Sequence, residues 1–435
     1  MRPIFLLLLF QCMLNSVSAQ ITFSRLQQVL NYADTSSFTA KQNAVKEKIN
    51  TDEEGLVRSG LLPKINIYST ADYYPVIASQ VIPDKIFGGA SDAYTKVQFG
   101  LPLNFSGGVE LSMPVINFEK WEQLKTTRLQ TIAGKWNSKT NIENLHIQLT
   151  QYYYRALLFK QLIELNDANE NVMNELMRMI EERRKNNILN PADYNRSQNL
   201  SVEIANAGLE YRKNYQLALN QLQYLLNTGT VPQLTEQIAN TGWDILTGED
   251  TTITNRAAWN ESVAQVAVAK QLLTAANKSS LPKISLNSKY AYQWQMKPGS
   301  NSQQIGFDVS SIGLRLDLPL FAGNYSKLLQ KKTESQLQSV QIQQQQVQGN
   351  LVQQQTEWQI NYNTALTRQQ QLHKKMQFAK DNLRIANLSF KEGVMEYDEY
   401  NNIFREHIQA QIENLQNIAD GLIYKLLLNL NKPAL

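Results

Sequence analysis

Cysteine is all but absent. The chain has one, Cys12, inside an N-terminal stretch that reads as an export signal, so the mature protein needs no disulfide and offers no thiol nucleophile. Histidine is almost as scarce: His146, His373 and His407 fall in separate helical stretches without a partner at ligand spacing, which points away from a metal centre. A Gly-rich phosphate loop and a serine elbow are missing too. The expectation is a protein that is not an enzyme and carries no cofactor. Charge of one sign is lacking, because 42 Lys and Arg alternate with 38 Asp and Glu, so no nucleic-acid partner is expected. Beyond the N-terminus no run of eighteen apolar residues occurs, which excludes a helical membrane channel. Gly and Pro number 19 and 12 in 435 residues, too few to punctuate the roughly two to four globular domains usual at this length.

The N-terminus itself has Arg2, the apolar run Ile4 to Phe10, and the small residues Val17, Ser18 and Ala19 before Gln20. That pattern predicts a cleaved signal peptide over 1–19. Leu9, Phe10 and Gln11 lack the small residues of a lipoprotein cleavage site, so no lipid anchor is expected.

What the chain does have is a strand that runs straight into a very long helix, twice. Ile312, Leu314, Leu316, Leu318 and Leu320 alternate with Gly313, Arg315 and Asp317, then Pro319, Phe321 and Gly323 lead into a helical stretch of about seventy residues, roughly 100 Å at 1.5 Å per residue. Earlier, Val109, Leu111, Met113 and Val115 alternate with Glu110, Ser112 and Pro114 before a second such stretch. A strand apolar on one side suits a bilayer, with the helix projecting away from it.

The rest of the chain repeats this plan. Ile21 to Tyr32 and Phe38 to Arg58 have helical spacing; Leu62-Pro63-Lys64-Ile65 opens a strand, and Leu281-Pro282-Lys283-Ile284 opens its counterpart. Pro75 to Ala93 reads as a loop, Gly107-Gly108 as a bend or bulge, and Ser310-Ser311 as a second bulge where the alternation changes phase. Helix breaks fall at Asn187 to Pro191 and at Gly393. A shift of about two hundred and five residues puts Gly108 on Gly313 and Pro114 on Pro319. The expected division is a first repeat over 20–227 (strands about 62–74 and 95–115, hairpin 117–227), a linker over 228–254, and a second repeat over 255–435 (strands about 281–295 and 304–321, hairpin 323–430). The glutamine runs Gln343 to Gln346 and Gln353 to Gln355 are expected to be helical, because Leu337, Val340, Ile342, Val347, Leu351 and Trp358 keep apolar contacts available.

Four tilted strands cannot close a barrel, and open edges are not tolerated in lipid. Closure must then come from other copies, and three chains give twelve strands, an even count in the range of outer-membrane barrels. The expected fold is mainly α with a membrane β part: long helical hairpins plus four strands per chain, forming a homotrimeric 12-stranded barrel continued by a 12-column helical tunnel. Lys64, Glu110, Lys283, Arg315 and Asp317, opposite the apolar faces, should line water. Tyr73, Tyr74, Tyr290, Tyr292 and Trp294 suit an interfacial girdle.

The paired Leu-Pro-Lys-Ile openings, the Leu318-Pro319-Leu320-Phe321-Ala322-Gly323 exit, and Gly393 to Asn402 together resemble the TolC-like outer membrane efflux proteins over essentially the whole mature chain. The resemblance implies a passive exit duct across periplasm and outer membrane, serving efflux or type I secretion. It implies as partners an adaptor protein and an inner-membrane pump of RND, ABC or similar type. The junction residues would be Pro114, Pro319 and Gly323. The family's closable entrance would lie at the far hairpins, which turn at Asn187 and Gly393. Asp193-Tyr194 and Glu399-Tyr400, equally spaced from those turns, are similar to the entrance acids of the family, with Glu396 and Asp398 adding charge; the family's second acid is here Asn402. Two readings stand side by side: an acidic ring selecting cations, or negative charge favouring the first turn of each returning helix. The run Glu181-Glu182-Arg183-Arg184-Lys185 reads as a solvated face or an adaptor contact. The competing account of the whole chain is a secreted coiled-coil scaffold or adaptor whose strand faces pack on each other.

Overall fold

The computed structural model describes residues 21–88, 93–238, 253–299 and 304–430. The expected signal peptide and most of the expected linker, including Gly242 and Gly248, lie outside the described residues. In chain order the elements are β1 (Thr22–Phe23), α1 (Leu26–Ser36), α2 (Phe38–Ser59), β2 (Lys64–Tyr73), β3 (Ser79–Pro83), β4 (Tyr94–Gln98), β5 (Leu103–Ile116), α3 (Phe118–Lys185), α4 (Pro191–Leu226), β6 (Gln233–Leu234), α5 (Ala257–Asn277), β7 (Lys283–Met296), β8 (Gln304–Asp317), α6 (Tyr325–Lys391) and α7 (Tyr397–Asn429). The chain divides into two compact units: residues 49–132 with 264–341, and the remainder.

The first of these units holds an antiparallel sheet in the order β2-β5-β7-β8. Strand alternation fixes its two faces, and the register carries them from strand to strand. Ile65 lies opposite Leu111, Ile67 opposite Val109, Val109 opposite Tyr290, and Leu286 opposite Leu314. This apolar face is bare: Ile67 is 86%, Ile312 77% and Leu314 71% exposed. Lys64, Glu110, Lys283, Arg315 and Asp317 all fall on the opposite face.

Several details differ from the sequence expectation. Gly107 and Gly108 do not bend β5, whose pairing with β7 continues to Pro114 and shifts only between Pro114 and Ile116. Gly108 serves close approach instead, since a Cβ there would stand 2.2 Å from the Tyr290 carbonyl oxygen. No bulge interrupts β8 at Ser310-Ser311; its register against β7 is unbroken, so Ile305, Phe307 and Val309 lie on the face opposite to Ile312, Leu314 and Leu316. The expected loop Pro75 to Ala93 contains β3, which pairs with β4, and the strand expected over 95–115 divides at Gly100, whose φ of 102° no strand residue adopts. Past β5, Glu122 on α3 is held by Lys278 at 2.8 Å, Lys125 at 2.9 Å and Gln271 at 2.5 Å, which fixes the end of α5 against the start of α3.

The second unit is helical. A helix expected from Ile21 is instead β1 followed by α1, because β1 pairs in parallel with β6. Leu149, Tyr153, Leu157, Leu162, Leu222, Tyr362 and Leu427 form one core with them. Farther along the hairpins the α6–α7 seam turns polar. Gln369 donates to Asn414 at 3.0 Å, and Asn417 donates to Gln369 at 2.8 Å and to the Ala365 carbonyl at 2.9 Å. Both glutamine runs lie within helix α6, with Leu351 and Trp358 buried. A second core closes the hairpin tips.

Among the described residues no helix is long and apolar enough to cross a membrane, which says nothing of a β-barrel.

Candidate functional site

The hairpin tips assemble from two turns of like design. Helix α3 ends in Arg183, Arg184 and Lys185, whose charge complements the C-terminal dipole, and Asn187 takes the left-handed φ of 57° that lets the Ile188 amide donate to the Arg183 carbonyl at 2.9 Å. Asn190 caps α4 by accepting from the Ala192 amide at 3.0 Å, with Pro191 at the first helical position. In the second hairpin Gly393 has φ 81° and the Val394 amide donates to the Ser389 carbonyl at 2.9 Å. Glu396 stands at the N-cap of α7 without a side-chain capping bond, and Asp398 and Glu399 lie in the first turn.

Beneath the turns Met173, Leu176, Ile180, Leu200, Ile204, Phe390, Tyr397, Tyr400 and Phe404 pack into one buried cluster. Tyr400 is fully enclosed, its ring 5.1 Å from that of Phe390 and its hydroxyl donating to Asn387 at 2.6 Å. Burial pushes its pKa up to about 12, reinforced by Glu175. Burial does the same to Tyr397, which also reaches about 12 although Arg405 opposes the rise. Tyr194, the counterpart of Tyr400 in the first hairpin, is half-buried and accepts from Gln198 at 3.0 Å. The two tyrosines of the matching motifs therefore do different things: Tyr400 builds the core, and Tyr194 sits at its margin.

The acids differ as well. Arg196 donates to Asp398 at 2.9 Å and reaches Asp193 at 3.4 Å, so one guanidinium ties the two hairpins together. Glu396 and Glu399 are exposed. A second cross-hairpin pair, Arg405 with Glu203 at 2.6 Å, lies one to two turns farther along. Arg183 stacks on the Phe390 ring at 4.2 Å and donates to the Phe390 carbonyl, and Arg184 covers the Tyr194 ring at 4.0 Å. Arg183 is thus half-buried in the tip packing, while Glu181, Glu182, Arg184 and Lys185 stay exposed, which suits either a solvated face or an adaptor contact. Arg196, Arg405 and Glu203 carry no motif in the sequence; only the fold reveals them.

On the polar face of the sheet, Lys289 pairs with Glu110 at 3.5 Å and lies over the Tyr68 ring at 4.6 Å. Arg315 pairs with Asp317 at 3.0 Å, and Lys283 with Glu119. At the strand–helix exit Gly323 and Asn324 both have left-handed φ, 58° and 60°, while Pro114 lies beside the register shift that ends β5. Among the described residues no three His, Cys, Asp or Glu side chains converge as metal ligands would. His146 bonds Asp34 at 2.7 Å, and burial, with Lys380 nearby, pushes the pKa of His407 down.

No family model and no curated relative matches the chain. Solved structures do. CusC, described in terms of transmembrane channel formation, superposes with a TM-score of 0.76 at 14% identity over 93% of this chain and 91% of its own. The outer-membrane channel OprN gives 0.77 at 12% identity over 93% and 89%, and the CmeC outer membrane channel of Campylobacter jejuni gives 0.74 at 13% over 93% and 85%. The chain has the fold of the TolC-like outer membrane channels.

Proposed function

We propose that this chain is the outer membrane channel of a tripartite efflux or type I secretion system: a passive duct, not an enzyme, to which an adaptor protein and an inner-membrane pump of RND, ABC or similar type deliver substrate. Three copies close a 12-stranded barrel and continue it as a 12-column helical tunnel into the periplasm, after removal of residues 1–19. Each copy is two repeats, 20–227 and 255–435, joined by 228–254.

The observation that carries this reading is the four-stranded sheet, apolar and bare on one face, charged on the other and, among the described residues, unpaired at both edges. A scaffold whose strand faces packed on each other would have buried Ile67, Ile312 and Leu314. The polar face then lines the barrel, and the aromatics Tyr73, Tyr290, Tyr292 and Trp294, which the register puts on the apolar face, meet the membrane interface. The hairpin tips form the entrance. Because Arg196 engages Asp193 and Asp398, the charge left for an acidic ring comes from Glu396 and Glu399.

The test is conductance of the detergent-extracted protein in a planar bilayer. Single-channel currents reduced by trivalent cations from the entrance side support a duct with an acidic mouth; a protein that extracts without detergent and passes no current refutes it. A deletion strain assayed for drug sensitivity, metal sensitivity and loss of a secreted protein then assigns the cargo.

A further inference from the structure

Among the described residues the sheet ends on two unpaired edges, β2 and β8. Accepting the trimer proposed above, we infer the register that joins its copies: β8 pairs antiparallel with β2 of a partner chain so that Gly313 lies opposite the partner's Asp72, Leu314 opposite the partner's Ala71, and Arg315 opposite the partner's Thr70.

The register follows from a duplication written into the pairing itself. In β2–β5, Lys64 lies opposite Ser112 and Ser69 opposite Gly107. Lys283 stands 219 positions after Lys64, and Asp317 stands 205 after Ser112; these two are opposite each other in β7–β8, as are Ser288 and Ile312, at the same two offsets from Ser69 and Gly107. The second hairpin thus repeats the first pair for pair. The junction between the halves, β5–β7, sets Gly108 opposite Ala291, Val109 opposite Tyr290 and Glu110 opposite Lys289. Carried forward by 205 on one strand and back by 219 on the other, that junction becomes β8 against β2, with the partners named above.

Three independent features agree. Side-chain parity is the first: this register puts Leu314 and Leu316 on the same face as the partner's Ala71 and Ser69, so the apolar face continues across the junction, whereas a slip of one residue would reverse it. Strand length is the second. Against β7, β5 reaches Ile116, whose counterpart 205 positions on is Phe321, yet β8 stops at Asp317; β7 reaches Met296, whose counterpart 219 positions back is Ile77, yet β2 stops at Tyr73. Each edge strand falls short where its neighbour is missing. Side-chain fit is the third. One large residue opposes one small residue at the matching place in both junctions, Leu111 against Ser288 within the chain and Leu316 against the partner's Ser69 between chains. The partner's Asp72 falls opposite Gly313, where a Cβ would meet nothing within 4 Å, and diagonal to Arg315.

Disulfide trapping tests this in a Cys12→Ser background, which leaves the chain free of cysteine. Membranes carrying Leu314→Cys with Ala71→Cys, and separately Leu316→Cys with Ser69→Cys, are oxidised and run on non-reducing gels. The expected result is a ladder ending at three chains for both pairs, reversed by reductant, and at most a tenth of that yield for Leu314→Cys with Ile67→Cys. A ladder from the Ile67 pair and none from the Ala71 and Ser69 pairs overturns the register while leaving the trimer standing. No ladder from any pair, with native mass giving one copy, removes the trimer itself. Gly313→Val is a second arm. Gly313 is open in the single chain but takes the place of Gly108 in the new junction, so this variant should reduce the trimer fraction severalfold in detergent. A trimer fraction equal to that of the parent protein contradicts the register.

Discussion

Arg196, on the helix returning from the first hairpin, donates to Asp398 on the helix returning from the second at 2.9 Å, and the same guanidinium lies 3.4 Å from Asp193. One side chain therefore couples the two turns that the proposed entrance must move. The groups are half exposed, so the link is worth about 0.2–1 kcal/mol per pair and weakens with salt. Arg196→Ala should raise the open probability of the channel in planar bilayers by roughly 1.4- to fivefold at low salt, the Boltzmann equivalent of the one pair that joins the hairpins, with the difference from the parent shrinking as salt rises. An Arg196→Ala channel that opens no more often than the parent at any salt would show that the tie does not restrain the tips.

Tyr400 makes the opposite kind of contribution. It is buried against Phe390 and Phe404, and its hydroxyl bonds Asn387. Tyr400→Phe should cost about 1 kcal/mol, the net worth of its hydrogen bond to Asn387, which is exposed and can turn to water. Tyr400→Ala should cost about 3–5 kcal/mol through the cavity it leaves. Thermal unfolding of the tip, followed by hydrogen exchange in the cluster around Phe404, distinguishes this from a pore-lining role, in which both variants would alter conductance and leave exchange unchanged.

The hairpin turn at Gly393 depends on its φ of 81°. A β-branched side chain at that angle is strained by about 1–2 kcal/mol, so Gly393→Val should lower the unfolding temperature of the tip and change gating together, while Gly393→Asn, which tolerates the left-handed region as Asn187 does in the first hairpin, should do neither. Equal tolerance of Val and Asn by both assays would contradict the turn's importance.

Much of this was legible in the sequence, and the reasons are physical. Alternation of Val109, Leu111 and Met113 with Glu110 and Ser112 fixes strand faces because the period is two, and the register keeps those faces together. Asn187 and Gly393 announce turns because few residues accept positive φ. The phase change in β8 was misleading, since the strand keeps its register and lets Ile305, Phe307 and Val309 cross to the other face. Gly108 was ambiguous for a related reason: a glycine for bending and one for close approach look alike until the neighbouring strand is placed. Arg196 was illegible, its partner Asp398 standing 202 positions away with no pattern to link them.

Acid should act on the α3–α5 joint through Glu122. Burial pushes its pKa up, but hydrogen bonds from Lys278, Lys125 and Gln271 outweigh that and bring it from 4.5 down to about 2. The folded value is depressed, so the stabilisation is fully present above 4.5 and is lost as pH falls through about 2. Glu122→Gln should cost about 1–3 kcal/mol at neutral pH, because Lys125 and Lys278 remain partly exposed to water, and flatten the acid dependence of unfolding in that window. A variant that unfolds at the same temperature as its parent at neutral pH, with the same acid profile, would contradict the assignment.

The central claim is that a single copy cannot satisfy its own sheet edges and that identical copies complete the wall. Native mass spectrometry of the detergent-extracted protein tests it most directly. The account predicts one species of three chains that survives removal of the detergent micelle in the gas phase; a folded single chain, stable in buffer without detergent, would contradict it.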